Sequence, residues 1–339
     1  MTPINLSNID YKNYIKKDNE IIIVPNIKYI YYSFIIILIV LFLIYIKLIQ
    51  NEKVQLQDTK INNKKVNLDN KNTTKCYLSP DKKANKILHL IITRFLIEFY
   101  VENGFPKKMY TDEYILNGIR VMKKYLFPSL ENQSCKNFTW ILMIGDKANK
   151  TLINSLLKFN NNFDMKIIYL KDIKNYIRYI SKDIDILITT RIDYDDRIYY
   201  DAVNDVRKAV NINHPMIIYG YNRGMYYFEE DDKYFEFYDT FKDKGVMSVF
   251  ISLITVLNMV NDIYTIYDLG VHLHIRNNIL KRYKSFGIKE LNYNPTIFDS
   301  GEPKFIQVRQ NYSGTYNRKI LLKKGLKAIN FSLSKFYGK

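Results

Sequence analysis

The pattern of apolar and polar positions divides the chain into five stretches. Residues 29–46 read YIYYSFIIILIVLFLIYI, with no charged position. A helix of that length reaches about 27 Å, close to the hydrocarbon thickness of a bilayer. Tyr29, Tyr31 and Tyr32 at one end and Tyr45 at the other suit the two interfaces. The pattern predicts a short tail over 1–28 and one transmembrane anchor over 29–49. The run starts late and no small-residue cleavage site follows it, which argues against a removed signal peptide. Lysines flank it on both sides (Lys16, Lys17 and Lys28 before; Lys47, Lys53 and Lys60 after), so charge leaves the membrane orientation open. Only the signal-anchor layout favours a short cytosolic tail. Residues 50–85 are polar and rich in Lys and Asn, without a sustained apolar period, and read as a stem.

From residue 86 onward short apolar runs alternate with amphipathic stretches. Strands are expected over 87–93, 138–144, 165–170, 184–189 and 216–219. Helices are expected over 112–125, 150–159, 173–180 and 199–210. Strands alternating with helices imply βαβ units and a mostly parallel sheet with flanking helices, Rossmann-like in class. Beyond residue 221 the aromatic-rich runs look like antiparallel strands and loops. This domain is expected over 86–315. Residues 316–339 place Leu322, Leu326, Ile329, Leu333 and Phe336 at helical spacing against a Lys-rich face. That predicts a basic amphipathic C-terminal helix, on a membrane surface or packed on the domain.

Charge changes the picture less than it first suggests. The 339 residues carry 51 Lys+Arg against 34 Asp+Glu, a formal +17, which points toward nucleic acid. Residues 86–315, however, hold 31 basic and 27 acidic side chains, so the excess sits in the flanks. A nucleic-acid partner is therefore not expected. Cys76 and Cys135 can form at most one bridge, which excludes a disulfide scaffold. The Asn-x-Ser/Thr triplets at Asn72, Asn132, Asn137, Asn149, Asn311 and Asn330 are mostly what chance gives in an Asn-rich chain.

In an open α/β sheet, ligands bind outside the carboxyl ends of the strands. The first expected strand ends in Thr93-Arg94, and the fourth runs into TTRIDYDDR, supplying Arg191, Asp193, Asp195 and Asp196. Three carboxylates within four positions repel one another unless a cation or hydrogen-bond donors neutralise them. In extended geometry Asp193 and Asp195 point to one side. An Asp-x-Asp there suits Mg²⁺ or Mn²⁺, which takes one or two carboxylates and fills its shell with phosphate and water. A plain acidic turn, with Asp196 capping the next helix, is the structural alternative. Walker A, GxGxxG, HExxH, GxSxG and EF-hand patterns are absent.

These motifs resemble a known family. HLIITRF (89–95), FPSLENQSCKNFTWILMIGD (127–146), TTRIDYDD (189–196) and FIQVRQNYS (305–313) are similar, in that order, to motifs of the rhamnosyltransferase-like family of GT-A-type glycosyltransferases. The late segment departs from that pattern, with Phe305 as its aromatic and Arg309-Gln310 where a His is expected. The resemblance implies a GT-A-like domain that moves a sugar, rhamnose by the family label, from a nucleoside-diphosphate sugar to a glycan or protein acceptor. It implies a metal on Asp193 and Asp195, with Asp193 alternatively at the ribose. Arg94, Arg191, Asp193 and Asp196 would bind the nucleotide-sugar, with the two arginines either neutralising phosphate or holding the carboxylates, and buried structural pairing as their alternative. An inverting enzyme also needs a carboxylate base, for which Glu229 and Asp268 are candidates, with Glu230 and Asp262 behind them. His272 and His274, on one face of GVHLHI, are candidates for an extra metal ligand or for buried core positions. The rival expectation is a GT-A-like domain without activity that serves as a structural or surface protein.

Overall fold

The computed structural model describes residues 14–17, 20–23, 76, 86–97, 110–157, 163–238, 250–270, 275–288, 294–299, 301–309 and 328–338. The chain divides into two compact units, Met1–Lys71 and Asn72–Lys339. In the first, β1 (Tyr14–Lys17) pairs antiparallel with β2 (Glu20–Ile23). The expected anchor over 29–49, the stem residues other than Cys76, and the pair His272 and His274 lie outside the described residues. Among the described residues, no helix is long and apolar enough to cross a membrane.

The second unit is built on two sheets. The strands of the larger one are β3 (Ile87–Phe95), β4 (Thr139–Ile144), β5 (Asp164–Tyr169), β6 (Ile186–Arg191), β8 (Met216–Tyr221), β11 (Ile251–Val256) and β12 (Thr296–Asp299). Their order is β12-β8-β11-β6-β3-β4-β5. All pairings are parallel except those of β11, which runs antiparallel to both β6 and β8. The sheet is therefore mixed: antiparallel strands were expected beyond residue 221, but without bounds for β11 or β12 and without their place in this sheet.

Period-two alternation explains the layers. Ile91, Phe95, Trp140, Leu142, Ile144, Ile186 and Ile188 face one core. It is closed by α1 (Asp112–Lys124), α2 (Leu126–Glu131), α3 (Lys150–Leu156) and α5 (Ala202–Lys208). The intervening Leu90, Ile92, Ile141, Met143 and Leu187 face the other side and pack on Ile177 of α4 (Ile173–Ile180). Further along the sheet, Met216, Ile218, Ile251 and Leu253 pack on Ile275, Ile279 and Tyr283 of α6 (Ile275–Ser285).

Local chemistry sets several boundaries. The Thr111 side chain accepts from the Tyr114 amide to start α1, with Asp112 and Glu113 in the first turn and Lys123 and Lys124 in the last. A β-carbon on Gly145 would meet the Leu96 carbonyl oxygen, so the residue that closes β4 must be glycine. The Trp140 indole donates to Thr93 Oγ1 at 3.0 Å, tying β4 to β3. Cys76 and Cys135 form a disulfide, which fixes residue 76 to the loop after α2.

The smaller sheet has the order β14-β10-β9-β13-β7, from β7 (Arg197–Ile198), β9 (Arg223–Phe228), β10 (Lys233–Tyr238), β13 (Phe305–Arg309) and β14 (Ala328–Ile329). Phe305 lies where a Gly224 side chain would otherwise stand. The expected continuous helix over 316–339 is not what residues 328–338 form. They make β14 and then a single turn, α7 (Leu333–Phe336). Phe336 is buried edge-on to Tyr199 at 5.8 Å, and Ile329, Phe331 and Leu333 pack beside it. The apolar positions thus cover the small sheet.

Candidate functional site

Strand register assembles the site. β3 and β6 run parallel with Ile92 opposite Arg191. The Ile192 amide donates to the Ile92 carbonyl at 3.3 Å, so both chains leave the sheet side by side. Two residues further on each, Arg94 and Asp193 come opposite one another. An Arg94 guanidinium nitrogen lies 3.5 Å from Asp193 Oδ1, and one of Arg191 lies 3.3 Å from Asp193 Oδ2. Arg191 belongs to β6 itself, since that strand extends two residues past the expected end. It is buried, and burial opposes its charge. Asp193, then Tyr267 and Asp196, more than offset this and leave its pKa raised.

The rest of the acidic stretch meets different neighbours. Tyr194 packs edge-on to Phe95 at 5.4 Å, and burial followed by Asp195 pushes its phenol pKa up. Asp195 is partly buried beside it. Asp196 is buried, and its Oδ1 accepts from the Val308 amide at 3.2 Å, which joins the strand end to β13. The next helix has its N-cap at Asp201, so Asp196 does not cap it, and one of its carboxylate oxygens is turned to the small sheet. Among the described residues no three His, Cys, Asp or Glu side chains gather as a metal-ligand set. Hard oxygen donors on Asp193 and Asp195 still match a divalent ion that takes one or two carboxylates and completes its shell with phosphate.

The base candidates sit in other settings. Glu229 pairs with Lys124. Burial would raise its pKa, but hydrogen bonds from Lys124 and Tyr125 prevail and hold it below the usual carboxylate range. That is the wrong direction for a general base working near neutrality. Asp268 accepts from the Thr265 amide and hydroxyl at 2.7 and 2.9 Å and so closes a capping box on the 3₁₀ turn Ile266–Leu269. Asp262 pairs with Arg178 and Lys174, and the Arg178 hydrogen bond leads in lowering its pKa. His272 and His274 lie outside the described residues.

One residue of the cluster escaped sequence reasoning. Tyr267, on the turn that Asp268 caps, donates to the Ile92 carbonyl at 3.0 Å and puts its ring 5.4 Å from the Arg94 guanidinium carbon. The neighbouring Ile266 amide donates to Thr189 Oγ1 at 2.8 Å, which pins the turn over β6. No motif marks it, because it reaches the site across 175 residues of chain.

Two arginines thus pair with one carboxylate at the carboxyl edge of parallel strands, where open α/β sheets bind their ligands. Residues 105–267 match the model of the family described as "Putative rhamnosyl transferase". That match supports glycosyltransferase activity, and it covers Arg191, Asp193, Asp195 and Tyr267. No curated protein matches the chain. Among solved structures, the chain is similar to the inositol-1-phosphate CTP transferase from T. maritima, at 8% identity and TM-score 0.32, over 70% of this chain and 94% of that one. It is also similar to HddC from Yersinia pseudotuberculosis, at 16% identity and TM-score 0.30, over 59% and 99%. A third is S. aureus TarS 1-349, at 14% identity and TM-score 0.33, over 65% and 60%.

Proposed function

We propose that this chain transfers a sugar from a nucleoside-diphosphate sugar to a glycan or protein acceptor, at the carboxyl edge of β3 and β6. The observation that carries the reading is the Arg94–Asp193–Arg191 cluster, of which all but Arg94 fall inside the family match. Loss of the sugar leaves charge on the diphosphate, and two guanidinium groups aimed at that edge can meet it with paired hydrogen bonds. Asp193 lies between them and pairs with both. Asp195, with Asp193, would hold a divalent ion, Mn²⁺ or Mg²⁺, which when bound acts as a Lewis acid toward the diphosphate. Rhamnose as the sugar rests on the family description alone.

Donor turnover with Mn²⁺, compared between wild type and Asp195→Ala, tests this. We expect a loss of about 100-fold or more in kcat, the scale of removing one electrostatic contributor to a transition state. Equal metal-dependent turnover in both would remove Asp195 from the site. Calorimetry that finds no metal-dependent heat with any donor would favour the rival, an inactive domain with a structural role.

The same reading takes residues 29–49 as a membrane anchor and the folded domain as residing on the oxidising side of that membrane. The uncharged run 29–46 supports the first part. The Cys76–Cys135 bridge supports the second, because disulfides persist in oxidising compartments and are reduced in the cytosol. Protease protection of the domain in sealed vesicles, read together with its disulfide state, tests both.

A further inference from the structure

We infer that Tyr267 is a positioning residue for the diphosphate site, its ring holding the Arg94 guanidinium against Asp193; the inference rests on the glycosyltransferase reading above. The Arg94–Asp193 contact is long at 3.5 Å, and the two side chains are 26% and 32% exposed. An ion pair of that kind contributes little by itself and does not hold a flexible arginine in one place. The aromatic face 5.4 Å from the guanidinium adds a restraint of its own, since cation–π attraction favours the guanidinium's place over the ring.

The ring is fixed from three directions. Its hydroxyl donates to the Ile92 carbonyl on the strand that carries Arg94. The preceding amide is bonded to Thr189 on the strand that carries Arg191. The following residue, Asp268, closes the cap of the turn. Tyr267 itself packs, partly buried, against both the α4-side core and the α6-side core. The turn therefore couples the orientation of Arg94 to strands β3 and β6 together, and a substrate phosphate would meet an arginine already in place.

Two variants separate this role from general packing. Tyr267→Phe keeps the ring and loses the Ile92 bond; Tyr267→Leu keeps an apolar filler and loses the ring. The first readout needs no activity: the rate of phenylglyoxal modification at Arg94, followed by peptide mass spectrometry on the full chain. We expect it to rise at least three-fold in Tyr267→Leu and to stay near wild type in Tyr267→Phe, with the buried Arg197 unchanged in the same digest. An unchanged Arg94 rate in the Leu variant overturns the inference, and so does a parallel rise at Arg197. The second readout is affinity for UDP, GDP and dTDP. We expect about ten-fold weaker binding in Tyr267→Leu, within the range of a cation–π contact, and no further loss when that change is added to Arg94→Ala. Equal losses on both backgrounds overturn the coupling. Wild type that binds none of the three removes the glycosyltransferase reading, while the modification rates still decide whether the ring holds Arg94.

Discussion

Acid should weaken this fold through one histidine. His89 is fully buried in β3, with Nε2 2.8 Å from Thr190 Oγ1, which in turn lies 2.6 Å from Ser252 Oγ. This polar chain crosses three adjacent strands, β3, β6 and β11, while the other ring nitrogen, Nδ1, is buried without a hydrogen-bond partner among the described residues. Burial first, and the positive charge of Arg207 second, lower its pKa from 6.5 to about 3. Above pH 6.5 both folded and unfolded chains hold it neutral, and it has no effect on stability. As pH falls below 6.5 the unfolded chain takes up the proton and the folded chain does not. Stability then drops by about 1.4 kcal/mol per pH unit until pH approaches 3. Between pH 7 and pH 5 the cost is about 2 kcal/mol. Urea unfolding at the two pH values measures it, with the single tryptophan, the buried Trp140, as the fluorescent reporter. His89→Gln, which cannot titrate, is the reference, and carboxylates common to both proteins cancel in the comparison. Wild type should lose about 2 kcal/mol more than His89→Gln over that interval. Identical losses would refute a buried neutral histidine.

Three further outcomes follow from the packing. The disulfide closes a loop with a sequence separation of 59, so Cys135→Ser should cost about 4 kcal/mol by the chain-entropy relation, seen as a lower urea midpoint that added reductant does not lower further. Asp196→Ala leaves the buried Val308 amide without its carboxylate and should cost about 1–3 kcal/mol in urea unfolding, whereas Asp195→Ala should leave the midpoint nearly unchanged. Phe336→Ala empties a buried aromatic position beneath Tyr199 and should cost about 3–5 kcal/mol by thermal or urea unfolding.

The βαβ core was legible because its signals are local. Apolar runs of strand length alternate with helical periods, and the observed strands fall within two or three residues of the expected ones, with α4 matching at both ends. The candidate site was legible to the same depth. Thr93-Arg94 and Arg191-Ile192-Asp193 announce themselves as polar ends of apolar runs, and parallel pairing does the rest. What stayed hidden depends on long-range register. ISLITV of β11 reads as a strand, but nothing local says that it inserts antiparallel between β6 and β8. Asp196 looks like a member of an acidic cluster until Val308, 112 residues away, claims its carboxylate. Tyr267 is one of 30 tyrosines, and only the capped turn brings it to Arg94. The tail misled because helical spacing is nearly blind to a short strand followed by a single turn.

That tail also bears on solubility. β10 carries Tyr234, Phe235 and Phe237, and on the side away from β9 its backbone is paired by Ala328 and Ile329 of β14. An aromatic strand with an open ladder is a template for joining another chain edge to edge. β14 occupies that ladder, and Phe336 anchors the segment behind it. Cutting the protein before residue 328 would therefore uncover an adhesive edge, and the shortened chain should self-associate at concentrations where the full one stays dispersed.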